Sequence, residues 1–432
     1  MKIYFHTLGC KVNQYETQSM RELFNAGGHQ NAEKANEADI IVINSCTVTA
    51  ESDRKTRQLI RRCRRENPDC ILILTGCMAQ AFPEISESLP EADIIIGNCD
   101  HRLIVETALN YNHSQGQIVN ILPHTNGEHF NTPEISSFCE RTRAYMKIED
   151  GCDRFCSYCI IPKARGRVRS RSIESIKSEA YNLSKNGFKE IVLVGINLSA
   201  YGKDENYDLC DAVDAVCKTE GILRVRLGSL EPDHITDEML KRLSEQPKFC
   251  PQFHLSLQSG CDETLKRMNR HYNSDFYRDL ITRIRKMFPD AAITTDIMVG
   301  FAGETDEEFE KSLNFAKEIG FAKSHIFMYS RRSGTVAAAL KSQVSNAVKQ
   351  ERSHKMINVT SQSEKEFLNL LCGKEYDVLF ETYEDGYAQG YTANYSLVKV
   401  KCDIDIHGQL LPVKIISSEK DFCIGILNKK IL

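Results

Sequence analysis

"EDGCDRFCSYCIIPKARGRVRSR", residues 149–171, places three cysteines within eight positions and follows them with a run of basic residues. The cysteines are Cys152, Cys156 and Cys159, in the spacing C-x₃-C-x₂-C. Three thiols on one tight loop can serve a disulfide, a zinc ion or an iron–sulfur cluster. The choice among these decides what kind of fold the downstream chain must supply.

The redox compartment and the ligand count separate these alternatives. The chain opens with MKIYFHTLG, which lacks the regions of a signal peptide, and no segment reaches the roughly 18 apolar residues that span a bilayer. We therefore expect a cytoplasmic protein without membrane contact, whose 17 cysteines stay mostly reduced. Zinc usually takes four ligands in paired spacings, and no second C-x-x-C follows at a suitable distance. An iron–sulfur cluster with one iron left open fits best, and a cysteine-rich loop without metal is the alternative.

Composition sets the number of domains and limits the partners. At 432 residues, with 41% hydrophobic and 26% charged residues, the chain predicts two or three globular domains. The net charge of −4 argues against a surface that binds nucleic acid everywhere. A local basic surface is still compatible with it, because binding follows the distribution of charge.

Six apolar runs after the first third of the chain alternate with amphipathic helical stretches. They span residues 143–150, 190–197, 222–232, 252–260, 292–304 and 323–334. Six βα units predict a partial (βα)₆ barrel over residues 138–367. Ligands of such barrels bind at the carboxyl ends of the strands, so the polar residues there should face one cavity. The alternative for any single one of them is a helix cap or a turn.

The first hundred residues predict a separate, doubly wound parallel-sheet domain over residues 1–110. Four β-rich runs, 2–10, 38–46, 70–77 and 92–99, each end in a cysteine. The topology brings the carboxyl ends of such strands to one edge, and so would bring Cys10, Cys46 and Cys77 together. They are candidates for a second cluster. The alternative is that they are buried cysteines acting as small hydrophobic residues.

The end of the chain, residues 368–432, predicts a small β-barrel of about five strands. Tyr391 and Tyr395, in QGYTANY, are suited to stacking on RNA bases, although tyrosines can also simply fill a barrel surface. The polar, Gly/Pro-containing segment 111–137 reads as a linker.

Two basic segments favour an RNA partner over a solvated face. In residues 54–65, seven of twelve are Lys or Arg, and Arg57, Arg61 and Arg65 recur at helical spacing. After the cysteine loop, cations alternate with other residues, which suits an extended ribbon with one charged side. They are Lys163, Arg165, Arg167, Arg169 and Arg171.

Several motifs together resemble one family. TLGCKVNQYE, NSCTVT, LTGCMAQ and MKIEDGCDRFCSYCIIPKARGRVRSR, continuing through HLSLQSGCDETLKRMNR to YSRRSGT, are similar to the methylthiotransferase family of radical S-adenosylmethionine (SAM) enzymes. The resemblance implies that the loop cysteines hold a [4Fe–4S] cluster that binds SAM. It implies that the N-terminal trio holds an auxiliary [4Fe–4S] cluster. It also implies that the terminal barrel is a tRNA-binding TRAM domain.

The resemblance also implies a reaction. One electron from the cluster splits SAM, and the resulting 5′-deoxyadenosyl radical removes hydrogen from carbon 2 of an adenine ring. Sulfur then comes from the auxiliary cluster and a methyl group from a second SAM. The residues expected to hold SAM are Tyr158, through its backbone, and Gly195, Asn197, Ser229, Glu231 and Gln258.

The substrate branch rests on the TLGCKVN motif, which resembles the enzymes acting on threonylcarbamoyladenosine beside the tRNA anticodon. The isopentenyladenosine branch typically reads TYGCQMN and the branch modifying a ribosomal protein SLGCPKN, and both are alternatives. The expected partners are the tRNA anticodon stem-loop and an electron donor such as flavodoxin or ferredoxin. An iron–sulfur electron carrier or sensor without catalysis is the rival class.

Overall fold

A computed structural model describes residues 1–138 and 142–427, apart from the side chain of Ser86. The last five residues of the predicted C-terminal unit therefore lie outside the described residues. The predicted fold class is confirmed: a parallel α/β unit, a partial α/β barrel and a small closed β-barrel follow one another along the chain. Within the described residues, no helix combines the length and apolar character needed to cross a membrane.

The N-terminal unit is one parallel sheet in the order β2-β1-β3-β4-β5-β6. Its strands are β1 Lys2–Thr7, β2 Gln30–Asn31, β3 Ile40–Ser45, β4 Ile71–Gly76, β5 Ile94–Ile96 and β6 Ile118–Asn120. Its helices are α1 Lys11–Ala26, α2 Ala50–Glu66, α3 Cys77–Ala81 and α4 His101–Asn110. Helices α1 and α4 cover one face, and α2 and α3 the other. The central strands β3 and β4 are buried throughout, because helices cover both of their sides.

The predicted linker over residues 111–137 needs a correction. Strand β6 lies inside it and pairs with β5 through Ile94↔Ile118, so the N-terminal sheet continues past residue 110. A three-residue strand at a sheet edge leaves too short an apolar pattern to stand out from its polar surroundings.

The central unit curls six parallel strands, β7, β10, β11–β12, β13, β14 and β15, into a partial barrel. All its strands are β7 Arg143–Lys147, β8 Glu149–Asp150, β9 Arg169–Ser170, β10 Glu190–Val194, β11 Arg224–Leu227, β12 Ser229–Leu230, β13 Gln252–Leu255, β14 Ala292–Val299 and β15 Lys323–Met328. Its helices are α5 Ile161–Arg165, α6 Ile173–Lys185, α7 Leu209–Cys217, α8 Asp237–Ser244, α9 Asp262–Arg267, α10 Ser274–Met287, α11 Asp306–Ile319, α12 Val336–Ala339 and α13 Asn346–Asn369. Helix α1 packs Val12 and Tyr15 into the barrel core, which docks the N-terminal unit against β7.

The C-terminal unit is a closed barrel in the order β16-β17-β18-β20-β19. Its strands are β16 Glu375–Glu384, β17 Tyr387–Thr392, β18 Leu397–Lys401, β19 Leu410–Ser418 and β20 Cys423–Leu427. Arg224 and Arg226, at the start of β11, donate hydrogen bonds to its carbonyl oxygens at Tyr391 (2.9 Å) and Ala393 (2.8 Å). These contacts hold the small barrel at the amino-terminal end of the partial barrel.

Candidate active site

The cysteine loop follows the short strand β8 and ends at α5. Its first bend requires glycine at position 151, because φ there is +86°. A side chain at this position would also place its Cβ only 1.9 Å from the carbonyl oxygen of Arg167. Farther along, Ser157 anchors the loop to the barrel, because its amide donates to Met268 O (3.0 Å) and its hydroxyl to Arg267 O (2.7 Å). The loop therefore has one fixed shape.

The three thiols of this loop are mutual neighbours, with Cys156 buried and Cys152 and Cys159 partly buried. Burial raises the pKa of Cys159 to about 12, and the neighbouring Cys156 and Cys152 thiolates add to the increase. Arg270 donates from Nη1 to Cys156 Sγ at 3.3 Å and forms an ion pair with Glu231. The cation is 2% exposed. All three cysteines are free, so three thiols, which lose their protons when they bind a metal, and one buried cation are available to an iron–sulfur cluster.

Two orphaned oxygens mark a ligand site beside the loop. Glu149 is fully buried, and its Oε2 accepts a hydrogen bond from the backbone N–H of Asn197 at 2.7 Å. Glu149 Oε1 and Asn197 Oδ1 are buried, and neither has a hydrogen-bond partner within residues 1–138 and 142–427. Burial raises the pKa of Glu149 well above its usual range, which favours a neutral carboxyl. Unpaired buried oxygens fit the amino and hydroxyl groups of a polar cofactor such as SAM.

The other residues expected at the SAM site lie on the cysteine loop, in the case of Tyr158, and at the ends of barrel strands. Gly195 leaves no room for a side chain, because a Cβ there would lie 2.5 Å from Glu149 Oε2. Gln258 has a φ of +66° and bridges to β14. Ser229 lines the barrel cavity, and the Tyr158 ring packs edge-on against Phe301. Sequence reasoning missed Glu149 and Arg270. The available signal for Glu149 was an acidic residue at the end of the apolar run 143–150, directly before the cysteine loop, and nothing in the sequence indicated Arg270.

The N-terminal cysteines come together through sheet topology. β1, β3 and β4 are adjacent and in register, with Thr7 opposite Asn44 and Asn44 opposite Thr75, and each cysteine follows within three residues. Burial raises the pKa of Cys77 to about 12, and the Cys46 and Cys10 thiolates add to the increase. The three thiols are thus close neighbours at the carboxyl edge of the sheet, and all are free. This donor set also fits a cluster.

A buried charge network links the two cysteine sets. Arg165 donates from Nε to Cys77 Sγ at 3.2 Å and pairs with Glu16 of α1. The Lys147 ammonium lies 2.7 Å from a carboxylate oxygen of Glu16 and 2.7 Å from one of Asp150. Asp150 stands two residues before Cys152. Burial alone would raise the pKa of Glu16, but the Arg165 and Lys147 cations lower it to about 2. Burial would also raise the pKa of Asp150, but the Lys147 and Arg165 cations lower it, so both carboxylates stay ionised and hold α1 against the start of the cysteine loop.

The expected cationic ribbon after the loop is wrong. Residues 161–165 form helix α5, and Arg165 and Arg169 are buried, with Arg169 paired to Asp150 and Glu128. Buried carboxylates need buried cations, and these arginines supply them. They present no charge to a bound RNA. Arg167, by contrast, is exposed and lies over the ring of Phe155 at 4.9 Å.

The other RNA candidates lie in different settings. On α2, Arg61 and Arg65 are exposed and Arg57 is half-buried, and Arg61 pairs with Glu91 at 3.2 Å. Tyr391 and Tyr395 stack on each other with ring centroids 4.7 Å apart. Arg143 also contacts both rings, so the ring faces of the two tyrosines are already in contact with protein groups. A role for them in RNA stacking is therefore not supported by their geometry.

The barrel lumen contains a cavity of about 510 Å³ that brings these parts together. Cys10 and Lys11 line it together with the strand-end residues Gly195 and Ser229. Tyr395 contributes to the lining from the C-terminal barrel. A ligand in the lumen would therefore be able to contact both Cys10 and the strand ends beside the cysteine loop.

Two family models match the chain. "Uncharacterized protein family UPF0004" matches residues 2–97, and "Radical SAM superfamily" matches residues 146–316. Among solved structures, the radical SAM methyltransferase TsrM from Kitasatospora setae matches with a TM-score of 0.57. It shares 13% identity and covers 78% of this chain and 74% of its own, so it supports the fold.

Curated relatives extend over nearly the whole chain. Threonylcarbamoyladenosine tRNA methylthiotransferase MtaB of Bacillus subtilis is 38% identical, covering 96% of this chain and 94% of its own. The protein of the same name from Thermotoga maritima is 39% identical over 91% and 90%. A tRNA-2-methylthio-N(6)-dimethylallyladenosine synthase of Clostridium botulinum is 33% identical over 96% and 95%. The chain therefore belongs to the methylthiotransferase family of radical SAM enzymes.

Proposed function

We propose that this protein is a tRNA methylthiotransferase that adds a methylthio group to carbon 2 of threonylcarbamoyladenosine beside the anticodon. The observation that carries the proposal is the barrel cavity lined by both Cys10 and the strand-end residues Gly195 and Ser229. A nucleobase in this cavity would be able to contact both the sulfur-bearing site and the SAM site. The B. subtilis and T. maritima relatives of this name, at 38% and 39% identity, support the substrate.

The proposed ligands are the two cysteine sets and the strand-end residues. One [4Fe–4S] cluster would be held by Cys152, Cys156 and Cys159, and the other by Cys10, Cys46 and Cys77. SAM would contact the Tyr158 backbone, Gly195, Asn197, Ser229, Glu231 and Gln258, together with the orphaned oxygen of Glu149. When bound, these groups supply radical chemistry, sulfur and a methyl group.

The chain's own residues shape the reaction space. Glu149, kept neutral by burial, holds the Asn197 amide and so fixes the strand end after β10. Arg270 neutralises part of the thiolate charge at Cys156 and positions Glu231. The network of Arg165, Glu16 and Lys147 holds the N-terminal cysteines at the cavity.

The proposed partners follow from the surface charge and the redox chemistry. The exposed cations of α2, with Arg167 beside the cysteine loop, would contact phosphates of the anticodon stem-loop. An electron donor of the flavodoxin or ferredoxin class would reduce the SAM cluster. Reduced thiols suit the cytoplasm as the compartment.

Mass spectrometry of tRNA nucleosides tests this function. A strain lacking the gene should accumulate threonylcarbamoyladenosine and lose its 2-methylthio form, and the wild-type gene should restore it. Loss of 2-methylthio-isopentenyladenosine instead would assign the chain to the other tRNA branch. Unchanged tRNA nucleosides would contradict the proposal.

A further inference from the structure

Three neighbouring strands of the partial barrel present polar side chains to the lumen cavity. The residues alternate along each strand, so they share one face. This polar wall consists of Gln252 and His254 on β13, Thr294 and Asp296 on β14, and Lys323 and His325 on β15. Barrel interiors are normally filled by branched aliphatic side chains. A wall of six polar side chains therefore indicates a polar ligand.

The strand register assembles these side chains into one surface. His254 lies opposite Thr294, Thr294 opposite Lys323, and Asp296 opposite His325. The ligand atoms of His254, Asp296 and His325 all lie within 4.8 Å of one another. The wall is thus one connected site built from strands, which hold side chains more rigidly than loops do.

The inner part of the wall is fixed by its own hydrogen bonds. His254 Nδ1 lies 3.0 Å from Thr294 Oγ1, and its Nε2 lies 3.4 Å from Asp296 Oδ2. Gln252 donates to the same Thr294 hydroxyl at 3.0 Å. Both ring nitrogens of His254 are therefore engaged, and the ring orients the Asp296 carboxylate.

The outer part of the wall keeps its capacity to bind. Across the described residues, no hydrogen bond reaches the ring nitrogens of His325, which is exposed to the cavity. Lys323 is also exposed, and its ammonium lies 3.3 Å from Glu364 on α13. Lys11, next to Cys10 in the sequence, adds a further cation to the cavity lining. Among the described residues that line the cavity, Asp296 is the one carboxylate and Lys11 and Lys323 are the two lysines, with Glu364 outside the lining already paired to Lys323.

We propose that the polar wall is the subsite for the amino-acid substituent of the modified adenosine, an inference that rests on the proposed function. His325 and Lys323 bind the substituent's carboxylate, and Asp296 accepts a hydrogen bond from its hydroxyl. A threonylcarbamoyl group carries both of these groups, whereas an isopentenyl group carries no polar atom. An isopentenyl group would desolvate His325 without giving its ring nitrogens a partner, and a buried polar group left unpaired is a strong basis for rejecting a substrate.

Binding of two matched RNAs to the full chain with both clusters tests this subsite. One is an anticodon stem-loop containing threonylcarbamoyladenosine, and the other carries the methyl ester of the same threonyl carboxylate. The wild type should bind the free acid about 10- to 100-fold more tightly, since a hydrogen bond to a charged group is worth about 1.5–3 kcal/mol. The double variant Lys323→Met/His325→Ala should bind both RNAs alike. A variant of the exposed His354 on α13, His354→Ala, should keep the wild-type preference.

The outcomes separate the subsite from the reaction. No preference in the wild type, or the full preference retained in the double variant, would overturn the subsite whatever the activity. Failure to methylthiolate the free-acid RNA, with the binding preference intact, would instead overturn the proposed function. Metal analysis of the wild type should find only cluster iron. One additional ion per chain, lost in His254→Ala/His325→Ala, would make the wall a metal site and overturn the proposal.

Discussion

Cys152, Cys156 and Cys159 lie on eight consecutive residues between β8 and α5, whereas Cys10, Cys46 and Cys77 follow three strands that are adjacent in the N-terminal sheet but far apart in sequence. A tight glycine bend shapes the first set, and strand register shapes the second. In each set one sulfur accepts a hydrogen bond from a buried arginine: Cys156 from Arg270 and Cys77 from Arg165. Local chain geometry and long-range topology thus produce similar thiolate environments.

This difference predicts that distorting the backbone of the cysteine loop affects the site of Cys152, Cys156 and Cys159 and leaves the N-terminal cysteine site intact. Gly151→Ala forces a Cβ to within 1.9 Å of a carbonyl oxygen, so the loop must move, and we expect the SAM cluster to be lost. The control is Gly187→Ala, which has nearly the same φ, +87°, but nothing within 4 Å of the added Cβ. It should cost only about 1–2 kcal/mol of left-handed strain. Iron analysis should find about four irons in Gly151→Ala and about eight in the control.

Retention of eight irons and of SAM binding by Gly151→Ala would show that the loop adapts. The conclusion that the cysteine loop has one rigid shape would then be wrong.

The two arginines sharpen the comparison at the level of electronics. Each arginine uses different guanidinium nitrogens to bond to the cysteine sulfur and to a carboxylate. Arg165→Lys and Arg270→Lys keep a cation, but the single lysine nitrogen cannot reproduce both bonds. An N–H···S hydrogen bond favours the reduced, more negative cluster, so each substitution should lower the potential of its own cluster. We expect a decrease of up to about 60 mV, which is a factor of ten for one electron. Redox titration followed by electron paramagnetic resonance measures both potentials in each variant.

Each variant is the control for the other. Equal shifts of both clusters in Arg165→Lys would mean that the arginine acts through the general field of the buried network and not through Cys77.

The surroundings of the two sets also differ in where their cations point. The basic residues after the loop are buried at Arg165 and Arg169, but α2 of the N-terminal unit exposes Arg61 and Arg65. Replacing Arg57, Arg61 and Arg65 by alanine should therefore weaken tRNA binding about tenfold. It should also lower the salt slope by up to ~2.7, because each phosphate contact contributes about 0.9.

The matched control also removes three cations, Arg278, Arg283 and Lys286 of α10, which are solvent-accessible but lie on the barrel's outer helices. Equal losses in both variants would assign the effect to net charge. Equal affinities at low salt would return α2 to a solvated helix face.

Much of the fold could be predicted because its signals are local or periodic. The buried runs of β3 and β4 and the six-fold βα alternation reflect sheets covered by helices, and the C-x₃-C-x₂-C loop is contiguous. The three N-terminal cysteines could be grouped because parallel strands share a carboxyl edge. Strand β6 was missed because three residues carry no period.

Other parts depend on tertiary contacts that one sequence does not encode visibly. Arg165 looks like a surface cation until Glu16, far away on α1, is placed beside it. Arg270 follows α9 with no pattern of its own, yet it reaches Cys156. The polar wall was missed because its residues lie at the starts and middles of strands. Ligand-binding residues of such barrels are expected at the carboxyl ends of the strands.

The central claim is that the two cysteine sets hold clusters with different tasks. The most direct test is one anaerobic reaction containing reductant, SAM and tRNA, run with Cys10→Ala and with Cys156→Ala, and scored for both SAM cleavage and methylthiolated nucleoside. Cys10→Ala should still cleave SAM but leave tRNA without a methylthio group, because only the N-terminal site is damaged. Cys156→Ala should do neither, because SAM lacks its site. Methylthiolation at a normal rate by Cys10→Ala would contradict the account, since sulfur would then not pass through the N-terminal cysteines.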